Sequence, residues 1–132
     1  VRAANSIRNG RSQAKALMRE FKPSAVVGFG GYPSFPGLLA AKSLCIPALL
    51  HEQNAVLGRV NRLMAPRVEG IAVAYTGIHR MPPTAADKVH LVGNPVREEF
   101  VAIREQPYPP LSADGILRLL VVGGSLGATV LA

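Results

Sequence analysis

Ala25-Val26-Val27-Gly28-Phe29-Gly30-Gly31-Tyr32-Pro33 is the stretch that decides the fold. Ala25 to Phe29 is an apolar run of strand length, and the Gly30-Gly31 pair turns the chain before a helical stretch from about Phe35 to Cys45. A strand, a glycine-rich turn and a helix in that order open a unit of a parallel sheet. Downstream, Pro47 to His51 reads as a second strand and Val56 to Ala65 as a further helix. Gly70 to Ala74 and Val89 to Val92 are two more short strands, separated by the irregular, proline-containing stretch from Tyr75 to Lys88. Upstream, Val1 to Lys22 lacks proline, is rich in Ala, Arg, Lys, Gln, Leu and Met, and stops before Lys22-Pro23, as a helix does. Ile7, Ala14, Leu17, Met18 and Phe21 share one face of it, Arg8, Arg11, Lys15, Arg19 and Lys22 line an adjacent one, and Gly10 is its weak point. The alternation predicts an α/β domain built on a parallel sheet.

The pattern changes after Asn94. Residues 95–116 carry charged positions, then Gln106-Pro107-Tyr108-Pro109-Pro110, then Ser112 to Gly115, the composition of a linker. Leu117 to Val122 starts a new strand that Gly123-Gly124-Ser125-Leu126-Gly127-Ala128 turns toward a helix. The expected organisation is a first domain over 1–94, a linker over 95–116 and the start of a second Rossmann-like domain over 117–132. With no methionine at Val1 and an end at Ala132 soon after a glycine-rich turn, the chain reads as a fragment.

Composition bounds the function classes. The chain has 132 residues, 48% of them apolar, which suits a small globular core. Its single cysteine, Cys45, rules out an intrachain disulfide and a cysteine metal cluster, in keeping with a reducing compartment. No apolar run reaches the roughly 18 residues that span a bilayer. The net charge of +7 is uneven, with residues 1–67 at +8 and residues 68–132 at −1. A basic first half attracts phosphate, in nucleic acid, lipid head groups or a diphosphate substrate. Aromatics at 5%, without basic–aromatic interleaving, speak against a nucleic-acid-binding module.

Two glycine-rich turns from strand to helix offer phosphate oxygens backbone N–H groups at the positive end of a helix dipole. Glycine also serves such turns for conformation alone, and both readings stand for each turn. The dinucleotide fingerprint is not met, because Pro33 stands where the first turn needs its third glycine and Ser125 where the second needs glycine; the phosphate loop of ATPases is absent. His51-Glu52-Gln53-Asn54 follows a strand at the end where open α/β sheets bind ligands. It reads either as a ligand site or as a loop with Asn54 capping the next helix and Glu52 solvated. A zinc site of the H-E-x-x-H type fails at Ala55, and His79 and His90 stand alone. Gly93-Asn94-Pro95-Val96-Arg97 follows another strand, and Arg97 suits bidentate contact with phosphate or carboxylate.

Gly30-Gly31-Tyr32 with Pro36-Gly37, His51-Glu52-Gln53-Asn54, Gly93-Asn94-Pro95-Val96-Arg97 and Gly123-Gly124-Ser125-Leu126-Gly127-Ala128 together resemble the MurG glycosyltransferases in type and order. The resemblance covers almost the whole chain. Tyr75 to Lys88 and Gln106 to Gly115 are its least typical parts, and Leu126 stands where glutamine is usual. It implies a GT-B fold of two Rossmann-like domains, of which this chain covers the later part of the first and the start of the second. It implies inverting transfer of N-acetylglucosamine from UDP-N-acetylglucosamine to the 4-hydroxyl of undecaprenyl-diphosphate-linked N-acetylmuramoyl-pentapeptide in peptidoglycan synthesis. Asn54, Arg97 and Ser125 then fall on the donor, and Gly30, Gly31, Tyr32 and Glu52 toward the acceptor diphosphate and sugar. Gly123, Gly124 and Gly127 shape the third glycine-rich turn of the family. The proposed catalytic base of the family precedes Val1, so His51 is not assigned that role and the fragment alone is expected to be inactive.

The resemblance further implies no metal or cofactor, no nucleic-acid partner, and a peripheral place on the cytoplasmic face of the bacterial membrane. Arg8, Arg11, Lys15 and Arg19 are the candidates to face an anionic surface there, with a solvated helix face as the alternative. Another sugar-nucleotide enzyme of the same fold, such as a UDP-N-acetylglucosamine epimerase, is the competing reading. If Gly30-Gly31 is a diphosphate cradle rather than a tight turn, alanine at Gly31 is expected to leave the melting temperature near wild type and to weaken acceptor binding.

Overall fold

A computed structural model describes residues 2–107, Pro110 and residues 119–121. They fall in two compact units, Val1–Pro95 and Val96–Ala132. In the first, helix α1 (Arg2–Phe21) precedes strand β1 (Val26–Gly28), helix α2 (Gly31–Ser43) and strand β2 (Ala48–Glu52); helix α3 (Arg59–Met64), strand β3 (Gly70–Val73) and strand β4 (Val89–Leu91) follow. The four strands lie side by side in sequence order, all parallel. Val27 pairs with Leu49, Glu52 with Val73, and Val73 with Leu91. Parallel pairing brings the carboxyl ends of all strands to one edge, and the residues singled out in the sequence follow those ends.

Helices α2 and α3 cover one face of this sheet. Leu38 from α2, Leu50 from β2, Met64 from α3, and Val68, Ile71 and Val73 are fully buried there. Each such side chain contributes about 1.5–3 kcal/mol relative to exposure. Val27 and Leu49, alternating to the opposite face, remain 49% and 38% exposed. At the opposite edge Glu69 closes the start of β2: its N–H donates to the Ala48 carbonyl at 2.9 Å, and its carboxylate accepts from the Ala48 N–H at 2.6 Å.

Helix α1 packs on α2 rather than on the sheet. Its contact line is Ile7, Gly10, Ala14 and Met18, all half-buried, while Leu17 and Phe21 stay 64% and 76% exposed. The expected five-residue apolar face is therefore narrower, because a helix with one neighbour buries a single row of positions three or four apart. Gly10 lies in that row. A Cβ there would sit 3.2 Å from the Pro36 ring, so the missing side chain admits a close crossing of the two helices.

Other boundaries shift for local reasons. Helix α2 begins at Gly31, four residues before the expected start, since proline at Pro33 fits a helix's first turn. It ends at Ser43, and Cys45 lies beyond it, exposed, with φ 54°. The third helix is shorter than Val56 to Ala65, because Val56 bridges to His79, whose backbone is bonded to Ala55 and Leu57. The irregular stretch before β4 thus docks on the β2–α3 loop and includes a 3-10 helix, Pro83–Lys88.

In the second unit, helix α4 (Glu98–Ala102) interrupts the expected linker. Glu98 and Glu99 in its first turn complement the helix dipole. Of the strand expected over Leu117 to Val122, Leu119, Leu120 and Val121 are described; they are exposed and take part in no strand. The Gly123-Gly124-Ser125-Leu126-Gly127-Ala128 turn lies outside the described residues.

Candidate functional site

Three motifs from the first unit meet at the carboxyl edge of its sheet, two of them joined by hydrogen bonds and the third, the Gly30-Gly31 turn, by packing. Glu52, the last residue of β2, is only 2% exposed. Its Oε1 accepts from the Asn54 backbone N–H at 3.1 Å and the Asn54 side-chain amide at 3.0 Å. Its Oε2 accepts from the Gly58 N–H at 2.9 Å and from Asn61 Nδ2 at 3.0 Å. Burial by itself raises the carboxyl pKa, but the bonds from Gly58, Asn61 and Asn54 outweigh it and hold the pKa below its ordinary value. Glu52 is therefore a buried, ionised carboxylate with donors on both oxygens.

Neither part of the simple loop reading of this motif survives. Glu52 is not solvated, and Asn54 does not cap the next helix, whose N-terminus follows Gly58 with no side-chain cap. A carboxylate at a strand end pulls the following loop back over itself more strongly than a neutral cap would, since bonds to charged groups are about twice as strong. Asn54 itself is exposed, with its amide N–H committed to Glu52.

His51 is 6% exposed and uses both ring nitrogens within the fold. Nε2 donates to the Gly93 carbonyl at 3.0 Å, and Nδ1 accepts from the Gln53 amide at 2.8 Å. The ring also lies 5.3 Å from that of Phe29. Asn94 Nδ2 reaches the Gln53 carbonyl at 3.5 Å. His51 thus bonds the loop after β2 to that after β4, packs against Phe29 after β1, and has a partner on each ring nitrogen.

The Gly30-Gly31 turn stands beside this network. Gly30 has φ 83° and Gly31 φ 72°, conformations that side chains rarely adopt. A Cβ on Gly30 would meet Asn61 Nδ2 at 3.0 Å, whereas a Cβ on Gly31 meets nothing nearer than Pro33 Cδ at 3.5 Å. Helix α2 starts here with no side-chain cap. The backbone N–H groups of Gly30, Gly31 and Tyr32 therefore have no partner within the helix, and Pro33 has no N–H to add. Gly31 and Tyr32 are exposed, Tyr32 by 72%. The positive φ of Gly31 corrects the expectation that alanine there leaves stability untouched, because the turn needs glycine whether or not it holds a ligand.

Asn61 is the residue that sequence reasoning missed. It is 1% exposed, bonds Glu52 and the His51 carbonyl, and touches the position of Gly30. Its signal was a polar residue within the spacing Leu57, Val60, Asn61, Met64, all of them buried. Arg97 belongs to the second unit, where it is exposed and its carbonyl accepts the Phe100 N–H at 3.0 Å. Ser125, Gly123, Gly124 and Gly127 lie outside the described residues. On α1, Arg8, Arg11 and Arg19 are exposed and Lys15 is half-buried. Among the described residues, no helix is long and apolar enough to cross a membrane.

The glycosyltransferase family 28 N-terminal domain matches residues 1–73. The chain belongs to glycosyltransferase family 28.

Named relatives match this family 28 chain over nearly its whole length. It is 63% identical over 131 residues to the UDP-N-acetylglucosamine--N-acetylmuramyl-(pentapeptide) pyrophosphoryl-undecaprenol N-acetylglucosamine transferase of Sphingopyxis alaskensis, covering 99% of this chain and 33% of that protein. The protein of the same name from Erythrobacter litoralis is 56% identical, again over 99% of this chain and 33% of the relative. The crystal structure of Acinetobacter baumannii MurG superposes with a TM-score of 0.59 at 36% identity, over 72% of this chain and 27% of that one. The chain thus spans about a third of the length of the curated relatives it matches. The resemblance to the MurG glycosyltransferases and the GT-B fold class are borne out.

Proposed function

We propose that the polypeptide carrying this chain transfers N-acetylglucosamine from UDP-N-acetylglucosamine to lipid-linked N-acetylmuramoyl-pentapeptide, and that this segment supplies the acceptor side of the site together with some of the contacts to the donor. The observation that carries the reading is the open N-terminus of α2 at Gly30-Gly31, braced by the Asn61–Glu52 pair at the ligand-binding edge of the sheet. Unpartnered N–H groups at a helix start suit a diphosphate, which brings its negative charge to the positive end of the dipole. Tyr32 flanks that cradle. Glu52 acts as a positioning residue that holds Asn54 and the Gly30 turn, because its four bonded donors leave it little reach toward a substrate. Asn54, exposed and oriented by Glu52, offers an amide oxygen to a hydroxyl or N–H of the donor sugar. Arg97 and Ser125 complete the donor side, the guanidinium as a charge-assisted partner and the hydroxyl as a neutral one.

Transfer requires removal of the acceptor hydroxyl proton and stabilisation of the departing UDP. His51 is engaged on both nitrogens, so the base is assigned to another part of the full polypeptide. The polypeptide is further proposed to lie on an anionic, cytoplasmic membrane surface through Arg8, Arg11, Lys15 and Arg19, with exposed Leu17 and Phe21 on the same helix as apolar anchors.

The test is turnover by the full-length polypeptide with labelled UDP-N-acetylglucosamine and a lipid-linked acceptor. Arg97→Ala is expected to cost about 1.5–3 kcal/mol and Ser125→Ala about 0.5–1.5 kcal/mol of transition-state binding. Both losses should fall on the donor parameters. Epimerisation of the donor without any acceptor, or losses confined to the acceptor parameters, would refute the assignment.

A further inference from the structure

Asn54, Ala55 and Val56 are all exposed, so packing of their own side chains in the core does not hold them. On the inner side Glu52 accepts from the Asn54 backbone N–H and side-chain amide. On the outer side the His79 N–H donates to the Ala55 carbonyl at 2.9 Å, and the Leu57 N–H donates to the His79 carbonyl at 3.0 Å, a parallel bridge centred on Val56. Ile78 and Met81, which flank His79, are half-buried against the core. Gly77 at φ 65° and Arg80 at φ 63° bend the chain before and after the Ile78-His79 pair, and Arg80 does so without being glycine. A side chain in that region is strained and persists only where its surroundings determine the backbone. Here the two bends aim both polar backbone groups of His79 at the loop, while Ile78 and Met81 fasten the segment to the core.

We propose that this segment clamps the donor contact, with Ile78 as the positioning residue that sets Asn54 through the His79 backbone. The inference rests on the reading of Asn54 as a donor contact and adds the element that holds it in place. Glu52 decides which way the Asn54 amide turns, leaving its oxygen outward. The clamp decides where that amide stands, because Asn54 is covalently next to Ala55, whose carbonyl His79 holds. Opening of the clamp frees residues 54–56 on their outer side, and the apparent affinity for a nucleotide sugar then falls in proportion to the time the clamp is closed. A nucleotide sugar held by Asn54 must in turn keep the clamp shut, since coupling between two equilibria is reciprocal. Ile78 contributes through apolar packing alone, and no atom of it needs to touch the donor.

The test is a double-mutant cycle in the full-length polypeptide, with Ile78→Ala to loosen the clamp and Asn54→Ala to remove the contact. Ile78→Ala is expected to raise the KM for UDP-N-acetylglucosamine about three- to tenfold and to leave the acceptor KM within about twofold of wild type, and Ile78→Val should restore most of the loss. In the Asn54→Ala background the same replacement should add less than about twofold, because the clamp acts through that amide. Additive effects, or a donor KM unmoved by Ile78→Ala in an enzyme that Asn54→Ala impairs, would overturn the clamp. Normal donor parameters in Asn54→Ala would overturn the donor contact on which the clamp rests. Hydrogen exchange in the wild-type protein supplies a readout that depends on no variant's folding. UDP-N-acetylglucosamine should slow the Leu57 and His79 amide protons at least about tenfold and change that of Glu69, bonded to Ala48 at the opposite edge of the sheet, less than about twofold. Equal slowing of all three would mark general stabilisation and overturn the clamp.

Discussion

The two ends of α2 solve the same backbone problem in opposite ways. At its start, Gly30 and Gly31 take positive φ values, no side chain caps the helix, and the first N–H groups have no partner within it. At its finish the chain also turns through positive φ, at Cys45, but there the carbonyls are closed: the Ile46 N–H donates to Ala41 at 3.0 Å and the Cys45 N–H to Lys42 at 3.3 Å. That pair of crossed bonds is a Schellman cap, built with a residue other than the usual glycine. A closed end can tolerate a strained side chain because its cap compensates locally. The open end uses glycine and is supported from outside by Asn61 and, through it, Glu52. An end closed by its own backbone is self-contained, while an end left uncapped depends on neighbours distant in sequence.

Removing the outside support should break the comparison most severely. Glu52→Ala leaves the Gly58, Asn54 and Asn61 donors without their common acceptor, and a bond to a charged group typically contributes about 1.5–3 kcal/mol. A loss of about 3 kcal/mol in denaturant unfolding is expected, with diphosphate binding weakened in the remaining folded protein. The pH dependence has a definite sign. The folded pKa of Glu52 is lowered, so its stabilisation is complete above the unfolded carboxyl pKa of about 4.3 and disappears as pH falls through the depressed folded value. Glu52→Gln should flatten the stability profile in that acidic window. An unchanged profile would mean that another carboxylate governs acid unfolding.

Gly30→Ala comes next. It combines positive φ with a methyl group 3.0 Å from Asn61 Nδ2, and a loss of about 2 kcal/mol is expected. Gly31→Ala meets the same conformational penalty without the collision, so about 1 kcal/mol is expected, together with weaker diphosphate binding because the methyl group lies on the exposed side of the turn. The order of the two, read from melting curves, checks whether Asn61 braces the turn. Equal losses would show that it does not.

The layout of strands and helices was legible because it rests on local signals: apolar runs of strand length, glycine pairs and a proline after Lys22. The parallel sheet and the gathering of motifs at its carboxyl edge follow from that alternation alone. The inner wiring of the site was not legible. Glu52 at a strand end looks like a solvated loop residue until the chain from Gly58 to Asn61 folds back over it, a contact between positions six and nine residues apart across a turn. The structural part of His51 was hidden because its partner, the Gly93 carbonyl, lies 42 residues away. Gly10 read as a weakness in a helix because its use depends on Pro36, on another element.

The smallest expected effect lies at the closed end and sharpens the comparison. Cys45 is exposed, so replacing it removes little buried surface. Cys45→Gly relieves a side chain held at φ 54°, a strain of about 1–2 kcal/mol, and adds back about 0.4–1 kcal/mol through the greater freedom of glycine in the unfolded chain. The difference favours the variant by about 0.5 kcal/mol, visible as a rise in melting temperature of a few degrees for a domain of this size. Because the Schellman bonds involve only backbone atoms, they persist in the variant, and diphosphate affinity at the far end of the helix should not change. Stabilisation here beside losses at Gly30 and Gly31 would establish that positive φ alone does not mark a functional turn. A fall in melting temperature on Cys45→Gly would mean that the thiol makes a contribution at the cap that relief of strain does not replace, and the two ends would then be less different than their backbones suggest.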